Sequence, residues 1–326
     1  MSTGPILVTG ADRSGTSLLY AILASHPDVS MIRRANLWRW FDRRFGDLAE
    51  QENLDRCLDT LTRYRRLDVL GIVPEEVAET FASGEKTYGR LYRTIFEAYS
   101  ARNGTSRWGD KSLHEEHHTD RIFEEWPDAR MIQLMRDPRD RHTSVIRRYP
   151  DQRKGLPSIT GRWIDSHLAA RRNVAQYGDR YRVIRYETLA QEPEKTMQEL
   201  CDFLGLEYEP SMLAMNAVDE QRDQGGNSSF GPQTPGSIST GSIGRYREIL
   251  DPEEIAFIER MCLEGMEEFD YPPDGIRPGW PFWMTDFPIL AARTNLWRLQ
   301  DSRRRRRGHL IPDRRLSSDE GSPGAA

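Results

Sequence analysis

Short apolar runs alternate with amphipathic stretches along this chain. Ile6-Leu7-Val8 is an apolar run of strand length, and Leu18, Leu19, Ile22 and Leu23 then recur at helical spacing. His26-Pro27-Asp28 stops that helix, and Val29-Ser30-Met31-Ile32 reads as a second strand. Residues 36–105 show helical periodicity without clear strands, with Pro74 at one helix start. Residues 107–112 read as a polar turn before a helix over 113–126, which Trp126-Pro127-Asp128 ends. Residues 130–135 are mostly apolar and predict a central strand, followed by a helix carrying Ser144 and Arg148. A helix over 161–177, a strand over 181–186 and a helix over 193–204 ending at Gly205 come next. Residues 221–244 are a Gly/Ser/Pro-rich loop, and Asp251-Pro252-Glu253-Glu254 carries the signature of a capped helix start. Alternating strands and helices predict an α/β fold, with a central parallel sheet, helices on both faces and a helical insertion at 36–105. A single domain is expected over 1–300, with a tail over 301–326 that is first arginine-rich and then disordered.

The junction between the first strand and the first helix carries the candidate chemistry. Gly10-Ala11-Asp12-Arg13-Ser14-Gly15-Thr16-Ser17 has the glycine spacing of a phosphate loop. Free N–H groups and the helix dipole favour an anion there. Thr16 stands where a nucleoside-triphosphate enzyme has lysine, and Arg13 is the cation within the loop. A second anion site is expected from Met131–Ser144: a strand, Arg136 at its carboxyl end, and Ser144 eight residues later. Ligands of open parallel sheets bind at the carboxyl ends of strands, so both sites fall on one edge. Two anion sites suit a nucleotide with phosphate groups at both ends.

Composition narrows the setting. The 46 basic and 51 acidic residues give a net charge of −5, with no general reason to expect nucleic-acid binding. Lysine occurs only at Lys86, Lys111, Lys154 and Lys195, so arginine supplies most cationic groups. Cys57, Cys201 and Cys262 lie far apart and read as buried free thiols, without disulfide or metal spacing. No basic leader precedes the first strand and no apolar run reaches about 18 residues, which favours a cytoplasmic protein without a transmembrane segment. The aromatic segment 278–299 suits packing onto the body, a second subunit in a homodimer, or a peripheral lipid contact. Arg303–Arg307 reads as a solvated tail or a site for an anionic partner.

The motifs in register carry a resemblance. They are Arg13–Ser17 with His26–Val29, Gly109-Asp110-Lys111-Ser112, and Pro127–Arg130 leading into Arg136-Asp137-Pro138-Arg139-Asp140 and Ser144. Arg185–Leu189 and Ser242-Ile243-Gly244-Arg245-Tyr246-Arg247 complete the series. Over roughly residues 5–270 the chain resembles the PAPS-dependent sulfotransferases, nearest to tyrosylprotein and bacterial carbohydrate-type members; PAPS is 3′-phosphoadenosine 5′-phosphosulfate.

The resemblance implies a P-loop three-layer fold and PAPS as sulfuryl donor, with adenosine 3′,5′-bisphosphate (PAP) as product and no metal. Arg13, Ser14, Gly15, Thr16 and Ser17 would hold the 5′-phosphosulfate. Arg136, Ser144 and Arg148 would hold the 3′-phosphate. Tyr186 would line the site, and Ser242, Gly244 and Arg245 would close over it. Arg13 and Lys111 would sit by the sulfuryl group. The acceptor expected is a hydroxyl of a carbohydrate, glycolipid or small metabolite. Related enzymes carry a glutamate base just after the second strand, where this chain has Arg33-Arg34. His114 is the first candidate to replace it and Asp42 the weaker one, while Arg33 and Arg34 suit an anionic acceptor. A PAP-binding protein without turnover and a small-molecule kinase are the alternative readings; the absent lysine counts against the kinase.

Overall fold

A computed structural model of the chain describes residues 4–215 and 238–307, with the side chains of 152–154 left aside. Part of the Gly/Ser loop, 221–237, and the tail 308–326 therefore lie outside the described residues. Strand β1 (Ile6–Thr9) runs through the glycine loop into α1 (Thr16–Ala24), and β2 (Val29–Arg33) follows. Helices α2 (Leu37–Trp40), α3 (Gln51–Arg63), α4 (Pro74–Ala82) and α5 (Tyr88–Arg102) fill the next stretch. Then come β3 (Arg107–Lys111), α6 (Thr119–Glu125), β4 (Arg130–Met135), α7 (Pro138–Arg148), α8 (Leu156–Tyr177) and β5 (Tyr181–Arg185). The remaining helices are α9 (Tyr186–Gln191), α10 (Pro193–Leu204), α11 (Tyr246–Ile249), α12 (Pro252–Glu268) and α13 (Phe287–Arg307).

The strands form one parallel sheet in the order β2-β3-β1-β4-β5. Every strand therefore ends at the same edge. Side chains alternate across the sheet. Leu7, Ile32 and Met131 face a core built with the α2–α6 helices, while Ile6, Val8, Ile132 and Leu134 face α1 and α10. A third core joins α7, α8, α12 and the residues at the start of α13. The aromatic segment contributes to it: Phe282, Trp283 and Phe287 pack there, and α13 lies along α8. Cys57, Cys201 and Cys262 are free and buried. Among the described residues no helix is long and apolar enough to cross a membrane.

Three expectations are corrected. Residues 107–112, read as a polar turn, contain β3, inserted between β1 and β2 with all five residues buried. Hydrophobic pattern misses it because its polar side chains are satisfied by bonding. Arg107 donates to the carbonyls of Gly4 and Leu204, and Asp110 accepts from the Ala35 N–H. The single helix expected over 113–126 is interrupted: His114 is left-handed at φ 68°, one 3-10 turn covers Glu115–His117, and α6 begins only at Thr119. Arg303–Arg307, read as a solvated tail, is the last turn of α13: Arg305 pairs with Asp165 and Asp301, while the other four arginines are exposed.

The Arg-Asp-Pro-Arg-Asp run after β4 is a structural joint as well as a candidate site. Asp137 caps α7 by accepting from the Arg139 N–H at 2.9 Å, and Pro138 occupies the first turn. Arg139 is 2% exposed, lies over the Tyr246 ring, and pairs with Asp137 at 2.7 Å and Glu259 at 2.6 Å. Arg139→Met leaves those carboxylates buried and unpaired, so a loss of about 3–5 kcal/mol is expected in urea unfolding. A loss under about 1 kcal/mol would show that the joint carries no weight.

Candidate active site

The glycine loop is shaped by two close approaches. Gly10 has φ 143°, and a Cβ on it would meet the Leu134 carbonyl oxygen at 2.6 Å. Gly15 has φ 95°, and a Cβ there would meet the Tyr186 ring at 2.3 Å. The Tyr186 ring thus approaches the loop closely because position 15 has no side chain. Asp12 anchors the loop from the other side. Its carbonyl and carboxylate each accept from Arg141 at 2.8 Å, and Arg162 adds a contact at 3.3 Å. Burial alone would raise the Asp12 pKa; the guanidiniums of Arg141 and Arg162 overcome it and hold the carboxyl well below its usual range.

At the helix start no side chain caps α1, and the N–H groups of Gly15 and Thr16 have no partner among the described residues. Ser14, Thr16 and Ser17 are buried around them. Free N–H groups at a helix start are the arrangement that suits an anion. Lys111 reaches it from β3, donating to Ser17 Oγ at 3.3 Å. Burial drives the Lys111 pKa far down, and Arg34, Arg33 and Arg13 lower it further, against the opposing charge of Asp110.

The second expected anion site adjoins the first. Arg136 stacks on Tyr186 at 4.5 Å and donates to the Arg13 carbonyl at 3.2 Å and the Ser242 carbonyl at 2.9 Å. Its Nε is buried without a hydrogen-bond partner. Arg13 Nε donates to Ser144 Oγ at 3.0 Å, so the loop cation and the α7 serine meet directly. The Tyr186 hydroxyl bonds Ser242 Oγ at 2.8 Å. Arg148 is exposed at the end of α7, over the Tyr149 ring and near enough to Arg13 to lower its pKa alongside burial and Arg136. Gly244 and the half-buried Arg245 follow Ser242 on the same segment.

Sequence reasoning missed what holds these parts. Asp140 accepts from the N–H groups of Gly244 at 2.6 Å and Tyr246 at 3.0 Å, fastening the 242–246 segment to α7. Glu187 accepts from the Asp137 N–H at 3.0 Å and the Tyr271 hydroxyl at 2.9 Å. The charged positions flanking Arg136 and Tyr186 were the signal for both roles.

His114 sits against the anchored side of the loop. Its ring nitrogens lie 3.9 Å from Asp12 and 3.9 Å from Glu116. Burial lowers its pKa despite those carboxylates, so the imidazole is neutral at pH 7. Asp42 is elsewhere, 3.6 Å from Arg121 of α6. His114, Glu116 and His117 bring ligand atoms within 4.8 Å of one another. The Glu116 oxygens already accept from Thr9 and Ser166, and Arg162 and Arg305 line the same hollow, a setting that disfavours a cation.

Comparison with known proteins decides the family. A model described as "Sulfotransferase family" matches residues 5–210, well over half of the chain. This chain belongs to the sulfotransferase family. Its members are enzymes that transfer a sulfuryl group, and the parallel sheet with surrounding helices is the family's α/β fold. No curated protein sequence matches it significantly. The sulfotransferase domain of the Synechococcus PCC 7002 olefin synthase is 20% identical with a TM-score of 0.57, over 82% of this chain and 94% of that one. The sulfotransferase domain from the curacin biosynthetic pathway is also 20% identical with a TM-score of 0.57, over 82% and 99%. A mouse sulfotransferase complexed with PAP is 14% identical with a TM-score of 0.47, over 83% and 86%.

The role of Asp140 as a fastener is open to direct measurement. In Asp140→Asn, hydrogen exchange at the Gly244 and Tyr246 amides should speed up by at least about tenfold, the scale of two lost charge-assisted bonds. Unchanged exchange would mean that other contacts hold the segment.

Proposed function

We propose that this sulfotransferase takes the sulfuryl group from PAPS and delivers it to a hydroxyl of a carbohydrate, glycolipid or small metabolite. The observation that carries the reading is the pairing of two anion sites on one sheet edge: the uncapped α1 start with Lys111, and Arg136 with its unpartnered Nε over Tyr186.

Each residue has a part. The N–H groups of Gly15 and Thr16 and the hydroxyls of Ser14, Thr16 and Ser17 would bind the 5′-phosphosulfate. Arg136, Ser144 and Arg148 would bind the 3′-phosphate, with Tyr186 beneath and Ser242, Gly244 and Arg245 closing over. PAPS supplies a sulfuryl group on a good leaving phosphate. Charge grows on the oxygen between sulfur and phosphorus as that bond breaks, and Lys111 and Arg13 are the fixed cations that would stabilise it. Lys111 is held short of charge by burial and its neighbours, so an anion placed beside it favours the ammonium form. His114, neutral at pH 7, is the base we assign to the acceptor hydroxyl.

Thermal stabilisation by PAP and by Mg-ATP, followed by transfer of labelled sulfate from PAPS into a metabolite extract, tests the reading. PAP should stabilise the protein and Arg136→Ala should weaken it by at least about tenfold, the scale of one charge-assisted phosphate contact. Stabilisation by Mg-ATP alone would overturn the reading, and PAP binding without any transfer would favour a binding protein without turnover.

His114→Ala should lower kcat by about 10²–10⁴-fold with PAP binding intact. Because the His114 pKa is lowered, its base form persists as pH falls, and the acid limb of the rate profile should lie below the usual histidine value of 6.5. A wild-type kcat in His114→Ala would assign proton removal to another group.

A further inference from the structure

Most buried arginines in this chain have evident structural partners: Arg107 bonds two carbonyls, Arg139 pairs with two carboxylates, and Arg141 clamps Asp12. Arg33 and Arg34 are half-buried and lack such partners. Nε and Nη2 of Arg33 and Nε of Arg34 are buried without a hydrogen-bond partner, and no carboxylate pairs with either side chain among the described residues. Arg33 contacts the Tyr20 ring at 5.9 Å. Leaving guanidinium donors buried and unmatched is costly unless a ligand completes them.

The backbone shows that this placement is enforced. Arg34 has φ 62° and Asn36 φ 51°, both left-handed at non-glycine residues. Such strain persists only where surrounding contacts over-determine it. Here they do: Arg34 N–H donates to the Lys111 carbonyl at 2.7 Å, Ala35 N–H to Asp110 at 3.3 Å, and Asn36 N–H to Ser112 Oγ at 2.8 Å. The Gly-Asp-Lys-Ser motif thus holds the turn that carries the two arginines.

The sheet order places them. Arg33 pairs in register with Lys111, and β3 separates β2 from β1. At about 4.8 Å per strand, the end of β2 lies roughly 10 Å from the glycine loop, on the side away from Arg136. Burial lowers the pKa of both side chains, and for Arg34 the neighbouring Arg33 charge lowers it further. This is a third cationic position, beyond the two that the nucleotide needs.

We propose that Arg33 and Arg34 form an acceptor subsite for an oxyanion, so that the acceptor carries a carboxylate or a sulfate ester near the hydroxyl it offers. The inference rests on the PAPS reading above. A planar guanidinium pair matches such a group in a bidentate manner. The glutamate expected after the second strand would have repelled the same group.

The test uses the full chain saturated with PAP and three probes: glucose, glucuronate and glucose 6-sulfate. Both anionic sugars should bind at least about tenfold tighter than glucose in thermal-shift titrations, and glucuronate against the sulfate ester ranks the two oxyanions. The preference should vanish in Arg33→Gln/Arg34→Gln with PAP affinity retained. Arg34→Gln alone should reduce it several-fold and guards against a folding defect in the double variant. Equal binding of neutral and anionic sugars by the wild type, or a preference that survives in both variants, would overturn the subsite. Failure of the wild type to bind PAP would instead remove the transferase reading beneath it.

Discussion

Mutual repulsion among cations at the carboxyl edge of the sheet is the constraint on which the site depends. Arg33 and Arg34 at the end of β2, Lys111 at the end of β3, Arg13 in the loop after β1 and Arg136 after β4 stand in a row set by strand order. Asp110 is the carboxylate closest to Lys111 in this row, and its oxygens are committed to the Ala35 N–H and the Ser112 hydroxyl. Burial and that repulsion together push Lys111 toward its neutral form. The strands that carry the row are held by cores on both faces of the sheet, with Lys111 and Arg136 buried and Arg13, Arg33 and Arg34 half-buried. Folding thus gathers positive charge at one edge, an arrangement that an anion would relieve.

The surrounding structure shows how such an edge stays rigid. The charged residues flanking the ligand-facing ones are tied down in pairs. Asp12 is clamped by Arg141, Arg139 by Asp137 and Glu259, and Glu187 receives the Asp137 N–H. Alternate positions of one short motif therefore serve different ends. In Arg136-Asp137-Pro138-Arg139-Asp140, the first residue faces the site, the next three build the helix start and its anchor, and the last holds a distant segment.

Where side chains were apolar or followed turn chemistry, the fold was legible in the sequence. The boundaries of β4 and α10, the proline start at Pro74 and the capping box at Asp251 follow directly from pattern. Strand β3 was not legible, because Arg107, Asp110 and Lys111 break every hydrophobic template and are satisfied by partners far along the chain. The break at His114 was hidden for a similar reason: its left-handed backbone is set by tertiary contacts, and histidine does not announce it. That the glycine loop and Arg136 come together at one sheet edge could be read from spacing. The roles of Asp140 and Glu187 needed three dimensions, since their partners lie 104 and 50 residues away.

One of those long-range bonds changes how the site is bounded along the chain. The family match ends at residue 210, yet the Ser242 carbonyl, the Ser242 hydroxyl and the Gly244 and Tyr246 amides are what Arg136, Tyr186 and Asp140 hold. The candidate site therefore draws on two stretches of the chain, the sheet-bearing body and the 242–246 segment, joined by side chains and not by the sheet. Substitutions at Ser242, Gly244 or Tyr246 can therefore alter that side of the candidate site without touching a strand or its hydrogen-bond ladder.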